Sequence, residues 1–254
     1  MAGAAFLSAC AAYTVGAGLV QIYTASENRL ALQELLPEAI ISCYDSYDDS
    51  QLSHLLDWAD VVCIGCGLGM GQISEKILKN VLKNVSCPCV IDADGLNLLS
   101  RNIELLNQCC APVILTPHMK EMSRLTGWSI DTIMEDRFQA LDQIIKQSGP
   151  DTKSSIICVL KDSRTVVAQT NRQRFVNLAG NNSMAKGGSG DVLAGTIAGL
   201  LAQHMAPFEA TTVGVFLHAC GGDEAKKSKG SYSVLARDLI QGMADAMKNA
   251  KECR

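Results

Sequence analysis

The segment 180–195, GNNSMAKGGSGDVLAG, sets three glycines and one acid at the mouth of an apolar run. Glycine adopts backbone angles closed to other residues, so consecutive N–H groups at Gly187, Gly188, Ser189 and Gly190 can turn inward as a candidate anion hole for a phosphate. From Val192 the run VLAGTIAGLLAQ has a helical period, which would aim unpaired N–H groups and the positive end of a helix dipole at the same anion. Asp191 then stands where a carboxylate can take a proton from a substrate hydroxyl beside the bound phosphate. The competing reading makes Asp191 a helix cap and the glycines a tight turn; three glycines around one acid favour the phosphate. On the phosphate reading, a β-branched residue at position 188 crowds the phosphate oxygen and leaves the fold intact.

Other positions carry weaker chemistry. Lys161 ends an apolar run, so its ammonium is expected at the edge of a sheet, where a nucleotide could lie; a plain surface lysine would look the same. His118 follows Thr116-Pro117, and proline holds the chain extended and projects the imidazole from that edge. It can donate to a carboxamide or phosphate, or simply start a helix stabilised by Glu121. Gly65 and Gly67 bracket Cys66 after another apolar run and permit close ligand approach, or only a strand-to-helix turn. Asp92 and Asp94 alternate along a strand and would face opposite sides, so at most one lines a cleft; Asp94 with Asn97 is the choice, and Asn181 is added from the glycine segment.

These residues need a scaffold. Short apolar runs alternate with helical-period segments, the pattern of parallel strands covered by helices on both faces. Strands are expected at 19–24, 61–65, 90–93, 113–115, 156–160 and 165–168. A strand at 174–178 is expected to pair with 165–168 as an antiparallel hairpin across the turn residues Thr170, Asn171, Arg172 and Gln173. Single cover helices are expected over 130–145, 208–225 and 234–247.

With 254 residues and 48% hydrophobic content, the chain suits one α/β domain over 1–254. A net charge of −4 and a pI near 5.6, without a basic cluster interleaved with aromatics, argue against nucleic acid as a partner. The first charged residue is Glu27, yet the opening segment lacks a basic leader and breaks at Gly16-Ala17-Gly18, so it reads as a buried helix and strand, not a membrane span. The protein is expected in the cytoplasm. Eleven cysteines form an odd count and read as reduced thiols; Cys63, Cys66, Cys87 and Cys89 have zinc-like spacing but sit at the edges of apolar strands, so no metal ligands are assigned.

The glycine segment resembles the GxGD signature of ribokinase-like kinases, and more closely the motif of the ATP/ADP-dependent NAD(P)H-hydrate dehydratases. GCGLG at 65–69, DADGLN at 92–97, LTPHMKEMSRL at 115–125, VLKDSRT at 159–165 and VNLAGN at 176–181 occur in that family's order. The resemblance implies a ribokinase-like α/β fold and the repair of NADHX and NADPHX, the hydrated S epimers of NADH and NADPH. The hydrate hydroxyl would attack the terminal phosphate of ADP or ATP with Asp191 as general base, Mg²⁺ and the anion hole holding the charge, and phosphate elimination would restore the dihydropyridine. It further implies substrate contacts at Ala5, Gly67, His118 and Asp191, and nucleotide contacts at Lys161, Asp162, Ser163, Arg164, Thr165 and Gly190. The bacterial-looking GSGDVLAG segment favours ADP, giving AMP and phosphate. A homo-oligomer such as a homotetramer and a separate epimerase acting upstream are also implied.

The sequence departs from the family pattern in three places. Cys66 replaces a usual proline, Asp162 replaces a usual glycine, and the family's opening strand, of the form FGKVLVIAGS, is expected upstream of Met1. Ala5 would then lie in a loop at the chain's start, either because the start is misplaced or because the protein is compromised. Two alternatives stay open: a ribokinase-like kinase that stops at phosphorylating a thiazole- or pyridoxal-type alcohol, and a non-catalytic nucleotide-binding remnant.

Overall fold

A computed structural model describes residues 1–147, 155–170 and 173–252. The chain forms two compact units, one of Met1–Cys43 with Asn177–Arg254 and one of Tyr44–Val176. The first begins with α1 (Ala2–Thr14), β1 (Gln21–Ala25), α2 (Arg29–Leu35) and β2 (Ile40–Tyr44), the strands pairing in a small sheet. Ala9, Ile22, Leu32, Leu36 and Ala39 form its local core. The opening helix and strand were legible in the sequence, whereas β2, with only two apolar residues at its start, was not anticipated.

The second unit continues with α3 (Asp49–Trp58), β3 (Val62–Ile64), α4 (Gln72–Asn84), β4 (Cys89–Ile91), α5 (Asp94–Leu99), β5 (Val113–Leu115) and α6 (Met119–Thr126). Then come α7 (Ile130–Glu135), α8 (Arg137–Gln147), β6 (Ile156–Leu160), β7 (Val166–Gln169) and β8 (Arg174–Val176). The six strands β3 to β8 lie side by side in chain order. β3 to β6 run parallel, and β6, β7 and β8 pair antiparallel. The central strands β4, β5 and β6 are wholly buried, which is why they read as unbroken apolar runs. Ile64, Ile91 and Leu115 stand level across the sheet, so Gly65, Asp92 and Thr116 leave it together at its carboxyl edge. The expected mostly parallel sheet with an antiparallel hairpin is present; of the hairpin turn, Asn171 and Arg172 lie outside the described residues.

One expected helix is two. At Asp136 the backbone turns extended (φ −144°, ψ 91°), and its carboxylate accepts the Gln139 N–H at 2.9 Å, capping α8. The apolar stripe is therefore divided between two helices, with Ile133 buried on α7 and Leu141 and Ile144 buried on α8.

The chain returns to the first unit with α9 (Ser189–Ala202), α10 (Pro207–Ser233) and α11 (Ala236–Glu252). α10 outruns the expected 208–225 and bends at Gly230 (φ 75°). α9 is buried from Val192 to Leu201 and packs closely on α1: a Cβ at Gly195 would lie 2.0 Å from the Ser8 carbonyl oxygen. Among the described residues no helix is long and apolar enough to cross a membrane.

Candidate functional site

In the first unit, the glycine segment is held from both ends. Asp223 on α10 accepts the Gly180 N–H at 3.1 Å and the Asn181 side-chain amide at 2.7 Å. Asn181 also donates to the Gly222 carbonyl at 3.0 Å and accepts the Ser183 N–H at 3.0 Å. Asn181 thus shapes the loop. Downstream, Ser189 Oγ donates to the Met184 carbonyl at 2.7 Å and Lys186 Nζ to the Tyr232 carbonyl at 3.2 Å.

α9 begins at Ser189, three residues before the expected start, because Gly188 takes the cap position in the left-handed region (φ 93°, ψ −16°). Asp191 is therefore the third helical residue and not the cap. The Ser189 N–H is spent on the Lys186 carbonyl at 3.2 Å, which removes it from the expected anion hole. Among the described residues the N–H groups of Gly187, Gly188 and Gly190 have no backbone acceptor, as helix-start donors facing an anion require. The two leading glycines differ sharply. A Cβ at Gly187 would meet nothing within 4 Å, whereas one at Gly188 would lie 2.6 Å from Leu7 Cδ1 and 3.0 Å from Ala236 Cβ. A β-branched residue at 188 would thus press on Leu7 of α1 and Ala236 of α11 and should cost stability, where the phosphate reading alone expected none. Ala5 lies inside α1, not in a loop, and packs on the core around Ile22 and Leu32.

In the second unit, the carboxyl edge of the sheet gathers a charged network. His118 bridges Lys161 between the ends of β5 and β6, and the Lys161 N–H donates to the Pro117 carbonyl at 2.8 Å. Lys161 Nζ donates to Asp92 Oδ1 at 2.6 Å, and Thr116 Oγ1 donates to the same oxygen at 2.8 Å. Asp92, only 1% exposed, is thus the acid the sheet buries. Burial alone would lower the Lys161 pKa, but Asp92 and Glu121 outweigh it and raise it. The ammonium lies at the sheet edge where it was expected, and there it is ion-paired with Asp92.

His118 caps α6: its Nδ1 accepts the N–H groups of Lys120 at 3.1 Å and Glu121 at 3.2 Å, and Glu121 Oε2 accepts the His118 N–H at 2.9 Å. Glu121 is 4% exposed, and burial pushes its carboxyl up to about 7 against the pull of Lys161 and the His118 N–H. Burial, then the Lys161 charge, lowers the His118 pKa.

The remaining expected residues sit on turns. Gly65 is left-handed (φ 118°), and a Cβ there would lie 1.8 Å from the Asp92 carbonyl oxygen, so only glycine lets the turn cross β4. Gly67 is left-handed too (φ 71°). Asp94 begins α5 and accepts the Gly69 N–H at 2.8 Å, and Asn97 Oδ1 accepts Arg124 Nη1 at 2.7 Å. The strand alternation expected of Asp92 and Asp94 does not apply, since β4 ends at Ile91. Between them Ala93 has φ 49°, a cost for a non-glycine residue that clusters at functional sites. Asp162 pairs with Arg137 at 2.8 Å, and Thr165 Oγ1 donates to the Asp162 carbonyl at 3.3 Å, while Asp162, Ser163 and Arg164 form an exposed turn.

A family model described as NAD(P)H-hydrate dehydratase matches residues 1–244. The bifunctional NAD(P)H-hydrate repair enzyme of Moorella thermoacetica is 34% identical over 99% of this chain and 48% of its own; the chain spans about half the length of such relatives. The ADP-dependent (S)-NAD(P)H-hydrate dehydratase of Neisseria meningitidis is 35% identical over 98% of this chain and 81% of its own. Among solved structures, the ADP/ATP-dependent NAD(P)H-hydrate dehydratase of Bacillus subtilis, co-crystallized with ATP/Mg²⁺ and soaked with CoA, superposes with a TM-score of 0.80 at 28% identity. That match covers 98% of this chain and 87% of the other. The left-handed glycine turn at the head of α9, the charged sheet edge and this match along the chain have one conclusion: the protein belongs to the NAD(P)H-hydrate dehydratase family, with its ribokinase-like α/β fold.

Proposed function

We propose that this protein dehydrates the S epimers of NADHX and NADPHX to NADH and NADPH, using ADP and releasing AMP and phosphate, with ATP as the alternative donor. The observation that carries this reading is the turn Gly187–Gly190: among the described residues, three N–H groups without backbone acceptors stand at the start of a buried helix whose first turn holds Asp191. The match to the dehydratase family supports the choice of substrate.

In this reading the N–H groups of Gly187, Gly188 and Gly190 hold the terminal phosphate and the charge that grows on it. Asp191 accepts the hydrate's hydroxyl proton as that oxygen bonds to phosphorus, and the bond from phosphorus to the AMP oxygen breaks. Loss of phosphate and a ring proton then restores the dihydropyridine. Phosphate oxygens with the Asp191 carboxylate are a donor set that would suit Mg²⁺ carried in on the nucleotide, where it would neutralise phosphate charge. Ala5, Gly67 and His118 contact the hydrated nucleotide, and Lys161, Asp162, Ser163, Arg164 and Thr165 the adenine nucleotide. Work in the cytoplasm as a homo-oligomer such as a homotetramer, supplied by an upstream epimerase, completes the reading. Asp191→Asn tests it: ADP affinity should persist while turnover falls roughly 10²–10⁴-fold, the usual worth of a general base. Near-normal turnover in the folded variant removes Asp191 from the mechanism.

A further inference from the structure

We infer that Glu121 is a positioning residue for His118, fixing its ring so that Nε2–H faces a ligand as a hydrogen-bond donor. The inference rests on the reading above, in which His118 touches the hydrated nucleotide. Two independent contacts set the ring's polarity. Nδ1 accepts from the N–H groups of Lys120 and Glu121, so it carries no proton, and the neutral ring must carry its proton on Nε2. Burial and the Lys161 charge keep the ring neutral by lowering its pKa.

Glu121 supplies both oxygens. Oε2 accepts the His118 N–H at 2.9 Å, and Oε1 flanks Nε2 at 3.4 Å, too far for a strong hydrogen bond but on the side that favours a proton there. The Glu121 side chain is 5% exposed and that of His118 48% exposed, so the acid is buried while the ring reaches outward. The charged groups facing Glu121 are Lys161 beyond β6, Asp92 beyond β4 and Arg124 on α6 itself, with the neutral His118 at the cap. Lys161 Nζ is paired with Asp92 at 2.6 Å, and the Glu121 oxygens contact His118. The ligand group opposite His118 is therefore an acceptor, a carbonyl, hydroxyl or phosphate oxygen, and not an amide NH₂.

Glu121→Gln separates the two oxygens. A glutamine has one acceptor, so if its oxygen keeps the His118 N–H, its NH₂ opposes Nε2–H. Nitrogen NMR of the His118 ring should show one tautomer, protonated at Nε2, in the wild type and a mixture in the variant. The KM for NADHX should rise roughly tenfold, as expected for one lost hydrogen bond to substrate, with the KM for ADP unchanged. An unchanged single tautomer together with an unchanged NADHX KM overturns the inference. If the wild type does not turn over NADHX, the proposed function fails, and the ring signals alone decide whether Glu121 positions His118.

Discussion

Gly187 and Gly188 are neighbours in sequence, yet they differ in backbone and surroundings, and substitution separates them. At Gly188 a side chain meets two costs. The left-handed backbone (φ 93°) costs an L-residue about 1–2 kcal/mol. The new Cβ, 2.6 Å from Leu7 Cδ1 and 3.0 Å from Ala236 Cβ, adds an overpacking cost of about 1–3 kcal/mol. Leu7 can swing away, but the Ala236 Cβ is fixed to α11, so part of the overlap stays. For a chain of this size each kcal/mol shifts Tm by roughly 2–4 °C, so Gly188→Ala should lower Tm by roughly 5–15 °C. Gly187 is not left-handed and its Cβ would enter open space, so Gly187→Val should leave Tm nearly unchanged. Its branched side chain would instead occupy the mouth of the turn, and ADP affinity should fall roughly tenfold or more, the worth of one charge-assisted hydrogen bond. Thermal melts and calorimetric titration with ADP read both quantities. Wild-type ADP affinity in folded Gly187→Val would refute the phosphate cradle, and equal melting of Gly187→Ala and Gly188→Ala would refute the packing argument.

Lys161→Met strands the buried Asp92 carboxylate and should cost about 3–5 kcal/mol at neutral pH, measured by urea unfolding. Adding Asp92→Asn should recover much of that loss, and a strictly additive double variant would deny the pair. Glu121 gives a pH signature. Its carboxyl, raised from 4.5 to about 7 in the fold, adds stability that is complete below its unfolded pKa and lost as pH rises through 7. From about pH 5 to about pH 8 the wild type should lose about 2–3 kcal/mol relative to Glu121→Gln. Parallel stability curves for the two proteins would show that Glu121 does not titrate in this range.

The parallel strands were legible because burial on both faces leaves uninterrupted apolar runs, and 113–115 and 156–160 match β5 and β6 residue for residue. The turn in the glycine segment was legible because glycine's backbone freedom is a local signal. What escaped was nonlocal. Asp92 was set aside for Asp94 because its partner, Lys161, lies 69 residues away, and only the level ends of β4, β5 and β6 bring them together. Glu121 was visible as a neighbour of His118 three residues on, but its burial depends on the fold of the whole sheet edge. The cap position of α9 moved because apolar period marks where a helix buries a face and not where its first turn begins. Asp136 was hidden in a continuous apolar stripe, since a capping acid looks like any solvent-facing one.

In the proposed function the turn before α9 serves phosphate transfer to a hydrated nicotinamide nucleotide. Its most direct test follows recovery of dihydronicotinamide absorbance from purified NADHX, with ADP and Mg²⁺ present or withheld, while AMP and phosphate are quantified. Recovery should require the nucleotide, with one AMP and one phosphate formed per NADH, and should be lost in Asp191→Asn. Recovery without ADP or ATP, or a phosphorylated product that accumulates without regaining the absorbance, would contradict it.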